Sequence, residues 1–154
     1  MSFVQRIALA LLFAVTISIF PLPEIIAPLR PQFVLLIFLY LQLFANAYLY
    51  VSLLLFVCLL LDVMHANVLG QNALPVLITC LVMFKRSMRF QFFPEPQQFL
   101  IIFFLVLLNN SLFALIGWLF SNTIAWTPLF LGALSSAACW PLVHLYFGPK
   151  RIMA

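Results

Sequence analysis

The chain has 154 residues, of which 67% are hydrophobic and 6% charged, with a formal net charge of +4. A soluble domain of this length needs about a quarter of its residues charged to cover its surface, so the composition excludes a water-soluble globular protein. The positive balance has no basic stripe or interleaved aromatic face behind it, which argues against a nucleic-acid partner. Its ordinary meaning in a membrane protein is retention of Lys and Arg on the cytoplasmic side.

The apolar runs are continuous rather than alternating, so they read as transmembrane helices in a lipid bilayer and not as barrel strands. The first covers about residues 3–20 and is stopped by Pro21 and Pro23. No small-x-small cleavage site follows it, so it reads as a retained helix rather than a signal peptide. The second, about 31–45, opens with Pro31 in its first turn, where proline is tolerated. A tight connection at Asn46 leads into the third, about 47–64. The fourth, about 68–84, carries Gly70 and Pro75 near its start; the fifth, about 99–120, is interrupted by Asn109 and Asn110; the sixth covers about 126–147. The expected fold is an all-α integral membrane protein, with six transmembrane helices in one bundle and a single polytopic domain over residues 1–154.

Six of the seven basic residues are Arg6, Lys85, Arg86, Arg89, Lys150 and Arg151. They fall on the N-terminus, the 85–98 loop and the C-terminus, which share one side if the chain starts inside. Arg30 alone falls on an outer connection. The positive-inside rule then places both termini in the cytoplasm.

Few residues could carry chemistry. Asp62 follows Leu59, Leu60 and Leu61 near the outer end of the third segment, and an ionised carboxylate there needs a partner. The topology puts Arg30 at the same depth, so Arg30 and Asp62 are expected to form a structural ion pair. The alternative is that each snorkels separately to the interface. His65, one turn after Asp62, and Gln71 complete an expected outer-face polar pocket of Arg30, Asp62, His65 and Gln71. Asn67, Gln71 and Asn72 suit capping of the fourth helix. Gln42, Asn109 and Asn110 suit hydrogen bonds across helices. Ala10 and Ala14, and Gly132 with Ser136, form small-residue faces that permit close packing in the bundle or against a partner. No nucleophile, base and oxyanion site occur together. Cys58, Cys80 and Cys139 are isolated, without metal-ligand spacing. The reading is of no enzyme, with no catalytic, cofactor or metal site.

Arg30-Pro31-Gln32-Phe33 leads into Val34-Leu35-Leu36-Ile37. Leu60-Leu61-Asp62-Val63 is followed by Leu69-Gly70-Gln71-Asn72-Ala73-Leu74, and Trp140-Pro141 lies in the last helix ahead of a basic tail. This ordering, across nearly the whole chain, resembles the MreD family of rod shape-determining proteins. The chain departs from the family pattern in two places: Cys58 stands where a glycine is expected, and Asn109 and Asn110 occupy a region where relatives often carry an acidic residue. The resemblance implies a non-catalytic component of the cell-elongation machinery in the bacterial inner membrane. Its partners would be an MreC-like bitopic protein and the MreB filament system, with regulation of peptidoglycan synthesis by RodA and a class B penicillin-binding protein. The family also looks like the substrate-binding subunits of energy-coupling-factor transporters. The alternative function is therefore a vitamin-binding transporter subunit, with Ala10 and Ala14 facing a coupling subunit.

Overall fold

A chain dissolved in hydrocarbon must satisfy its backbone polar groups internally, and a helix does so within one segment. The computed structural model describes all residues except 1–2, 22, 45–47, 67, 86, 91, 122–126 and 148–154, and every regular element among the described residues is helical. In chain order these are α1 (Phe3–Ile19), a 3-10 turn (Ala27–Leu29), α2 (Phe33–Phe44), α3 (Tyr48–Met64), α4 (Ala73–Phe84), the short α5 (Ser87–Phe90), α6 (Glu95–Ser121) and α7 (Thr127–Phe147). The connection at Asn46, the candidate cap Asn67, and the basic residues Arg86, Lys150 and Arg151 lie outside the described residues.

Each of the six apolar segments contains one long helix, with two shifted starts. The fourth begins at Ala73 rather than at 68, because Gly70 takes φ 95° in the turn before it. That left-handed backbone is open to glycine at little cost and ends helical continuity. The fifth begins at Glu95 rather than 99, because the Pro94 carbonyl accepts the N–H groups of Gln97 and Gln98 at 3.0 and 3.1 Å. The 3-10 turn and α5 carry no signal in the hydropathy pattern.

Two described helices, α6 and α7, are long and apolar enough to cross a membrane. The remaining apolar helical stretches are shorter: Gln5–Ile19, Ala27–Leu43, Ser52–Met64 and Ala73–Phe84. At about 1.5 Å per residue, the 12-residue α2 and α4 reach only ~18 Å, against a hydrocarbon core of about 30 Å. The expectation of six full spans is thus met at full length by α6 and α7 among the described helices.

The packing is organised around α2. Every residue from Val34 to Leu41 is buried, and α2 packs against α1, α3, α4, α5 and α7. A helix apolar and buried all round belongs at the centre of a bundle. Its neighbours bury one stripe each, at spacings of three and four: Ile7, Leu11 and Ala14 in α1, Leu54, Cys58 and Leu61 in α3, Ala133, Ala137 and Trp140 in α7. The opposite faces stay apolar but exposed, as at Phe13, Phe56, Leu119 and Leu145. Exposed apolar surface on this scale marks contact with lipid or a partner. At one end Phe90 of α5 docks edge-on to Trp140 of α7, with ring centroids 5.9 Å apart, and Tyr40 of α2 completes the cluster 6.4 Å from Trp140.

α6 and α7 form the most extensive pair, and α7 also packs on the 3-10 turn. Gly132 allows this second contact: a Cβ there would lie 3.4 Å from Asn110 Nδ2, 3.7 Å from Pro28 O and 3.8 Å from Arg30 O. Gly132→Ala should therefore be tolerated within a few degrees of melting temperature in detergent. Gly132→Leu should lose about 1–3 kcal/mol by overpacking. Equal losses for the two substitutions would show that close approach is not what this position requires.

Candidate functional site

The polar residues gather at the end of the bundle where α1 stops and α4 starts. Helix α1 ends at Ile19, leaving carbonyls without helical partners. Arg30, which follows the 3-10 turn, sends its guanidinium back to them. Its Nη2 donates to the carbonyls of Ile17 and Ser18 and, at 3.2 Å, to that of Phe20. A cation at a helix C-terminus meets the negative end of the helix dipole. Partial burial lowers the guanidinium pKa from its ordinary value, and the three carbonyl acceptors offset that desolvation. His65, in the turn just past α3, holds the same helix end: its Nε2 lies 3.0 Å from Ser18 O and its Nδ1 2.9 Å from Leu61 O. A neutral ring can donate to only one of these oxygens, an imidazolium to both.

Asp62 has no exposed surface. Its Oδ2 accepts the Gly70 N–H at 2.8 Å and its Oδ1 the Asn72 N–H at 2.9 Å. These amides enter α4, so a carboxylate carried by α3 performs the capping usually done by the helix's own first residue. Asn72, at the N-cap position, makes no side-chain cap bond, which corrects the expectation that it caps with its amide. Gln71 also does not cap; it is half-buried and faces a cavity.

The expected ion pair between Arg30 and Asp62 is not formed: among the described residues no ion pair joins them, and each has its own backbone partners. The physical reason is that helix ends offer fixed clusters of unpaired carbonyls or amides of the matching polarity. Arg30 meets the C-terminus of α1 and Asp62 the N-terminus of α4. Charge-assisted bonds to two or three backbone groups satisfy each ion more fully than one side-chain partner would.

A second polar cluster lies at the junction of α2, α6 and α7. Asn109 Nδ2 donates to Gln32 Oε1 at 2.7 Å, Gln32 Nε2 donates to Asn110 Oδ1, and Asn110 Nδ2 donates to Leu129 O at 3.0 Å. The Gln32 backbone N–H, just before α2, donates to Ser136 Oγ at 2.9 Å, and Ser136 Oγ donates to Gly132 O at 2.7 Å. Gly132 and Ser136 thus serve contacts inside the bundle. Ala14 is buried in the core and Ala10 is half-buried against it. Gln42 of α2 donates to the Cys80 carbonyl of α4. Gln32 received no role from the sequence. The available signal was its place beside Pro31 at a helix start, where free amides need acceptors, with two consecutive amides waiting in α6.

Between these clusters lies a cavity of about 560 Å³, lined by residues including Arg30, His65, Gln71, Asn109, Phe33 and Phe113. Of the four residues expected to form an outer pocket, Arg30, His65 and Gln71 line it. Asp62 does not, because its carboxylate is turned to the Gly70–Asn72 backbone. Among the described residues no group of three or more His, Cys, Asp or Glu side chains converges to hold a metal ion.

Asp62→Leu should cost more than Asp62→Asn, since it leaves two amides near a buried site without any acceptor; losses of about 1.5–3 kcal/mol per charged hydrogen bond set the scale. The decisive measurement is a double-mutant cycle with Arg30→Leu, read by thermal unfolding. Separate helix-end roles predict additivity within about 0.5 kcal/mol; a coupling above about 1 kcal/mol would restore the direct pair.

A family model described as rod shape-determining protein MreD matches residues 2–149 of the chain. No curated protein and no solved structure matches it.

Proposed function

The chain belongs to the rod shape-determining protein MreD family, and from that premise we propose that it is a non-catalytic membrane component of the bacterial cell-elongation machinery. In this reading it regulates peptidoglycan synthesis together with an MreC-like bitopic partner, and through it with RodA and a class B penicillin-binding protein. The observation that carries the reading is the family match over nearly the whole chain, joined to a helical bundle whose outward faces are apolar.

All six long helices would lie across the inner membrane with both termini in the cytoplasm. The one-sided distribution of six basic residues supports that orientation, because cytoplasmic segments retain Lys and Arg. The short α2 is compatible with it. Irregular backbone at membrane depth is tolerated where protein surrounds it, and α2 is enclosed by five other helices. The partner would be recognised within the membrane, since the polar end of the bundle is occupied by internal helix-end contacts. A single transmembrane helix from the partner could lie on the exposed apolar face of α1 or α3, where Phe13 and Phe56 project.

Affinity-tagged full-length protein should co-purify an MreC-like protein from native membranes, and depletion should convert rods to rounded cells. Cells that keep their rod shape after depletion would overturn the reading. A topology reporter fused to the C-terminus should report a cytoplasmic location; a periplasmic signal would reject the orientation.

A further inference from the structure

The connection from α4 to α6 is recessed against the bundle. Helix α4 ends at Phe84 after twelve residues, and the short α5 that follows sends Phe90, 1% exposed, against Trp140. Trp140 lies about two turns or 10 Å before the end of α7 at Phe147, at 1.5 Å per residue. The connection therefore docks on the flank of the bundle, inside the level at which α7 stops.

The side chains it turns outward are of two kinds. Lys85 and Arg89 are exposed, and among the described residues no ion pair holds either of them. The nearest carboxylate in sequence, Glu95, is also exposed and sits in the first turn of α6, where the helix dipole favours it. Phe92 is 87% exposed, more than Phe13 or Phe56 on the apolar faces of α1 and α3, and Phe93 is exposed beside it. The backbone carrying these rings is closed on itself. The N–H groups of Phe92 and Phe93 donate to the carbonyls of Arg89 and Phe90, each at 3.2 Å, and the Phe93 carbonyl accepts Gln98 Nε2 at 2.9 Å. Pro94 has no N–H to satisfy. A backbone that keeps its polar groups to itself can enter the zone where water gives way to lipid.

Exposed rings flanked by cations are the composition of an element lying in the plane of the membrane interface. Basic residues held there attract anionic headgroups. We propose that this connection is an interfacial anchor, with Phe92 entering the acyl-chain boundary while Lys85 and Arg89 hold the headgroups of anionic phospholipids. Charge complementarity selects an anionic lipid surface over a zwitterionic one, and the recess beside α7 lets headgroups settle close to the bundle. The proposal rests on the bilayer placement proposed above, but on neither the elongation partner nor the orientation of the termini.

The test uses the full-length protein. In vesicles of phosphatidylcholine and phosphatidylglycerol, the emission that Phe92→Trp adds to the wild-type signal is followed with two quenchers. Lipids brominated in the acyl chain near the headgroup should quench it, and aqueous iodide should not. Quenching by iodide but not by brominated lipid would put the ring in water, as on a surface for a soluble protein, and would overturn the proposal. In detergent, native mass spectrometry compares retention of phosphatidylglycerol and phosphatidylserine with phosphatidylcholine. A basic residue near an anionic surface contributes up to about fivefold, so both anionic lipids should be retained at least fivefold over phosphatidylcholine. Lys85→Gln with Arg89→Gln should remove most of that preference, and Lys85→Arg with Arg89→Lys should keep it. All three residues are exposed, so none of these substitutions opens a cavity. Equal retention of the three lipids, or a preference that the double Gln variant leaves intact, would overturn the proposal. Failure to co-purify an MreC-like protein would remove the elongation reading and leave these results standing.

Discussion

A carboxylate with no exposed surface, held by two backbone amides, is the contact on which one end of this bundle depends. Asp62 closes the turn between α3 and α4 by accepting the Gly70 and Asn72 N–H groups. Without it, the Gly70 and Asn72 amides leading into α4 would face an apolar interior with nothing to accept them, and Asn72 offers no side-chain cap of its own. The turn also needs Gly70, whose φ of 95° presents its N–H to the carboxylate. A charge costly in this environment is kept because it meets a cluster of donors fixed by the helix itself.

The same logic accounts for Arg30. Opposite charges at one end of a bundle would attract across open space, but the competing partners are closer and better ordered. The carbonyls at the end of α1 point along the helix axis and converge on one place, and Arg30 reaches three of them. His65 adds a second contact to Ser18 O, so α1 is tied both to the start of α2 and to the end of α3. The two charges therefore tie four helices through their ends, where a direct pair would have joined two.

Separating the charges shapes what lies between them. Asp62 is withdrawn into backbone contacts, while Arg30, His65 and Gln71 remain on the cavity wall beside the amides of α6. The Gln32, Asn109, Asn110 and Ser136 contacts hold α2, α6 and α7 together across that wall. Hydrogen bonds between membrane helices are individually modest, averaging about 0.6 kcal/mol. Here they act as a connected series, with Gly132 allowing α7 to approach the 3-10 turn and Asn110 together.

Composition and hydropathy were enough to place all six apolar helices, because the length and continuity of apolar runs are imposed directly by a hydrocarbon solvent. They also marked Asp62 as a residue requiring a partner, while the Leu60–Val63 and Leu69–Leu74 elements carried the family resemblance. The identity of the partners was beyond the sequence: it displays side-chain charges, whereas the groups that satisfy Asp62 and Arg30 are backbone amides and carbonyls found in every residue. The 3-10 turn, the late start of α4 and the role of Gln32 were hidden for the same reason. Which backbone groups are left unpaired, and which side chain lies close enough to reach them, is decided only when the helices stop and pack.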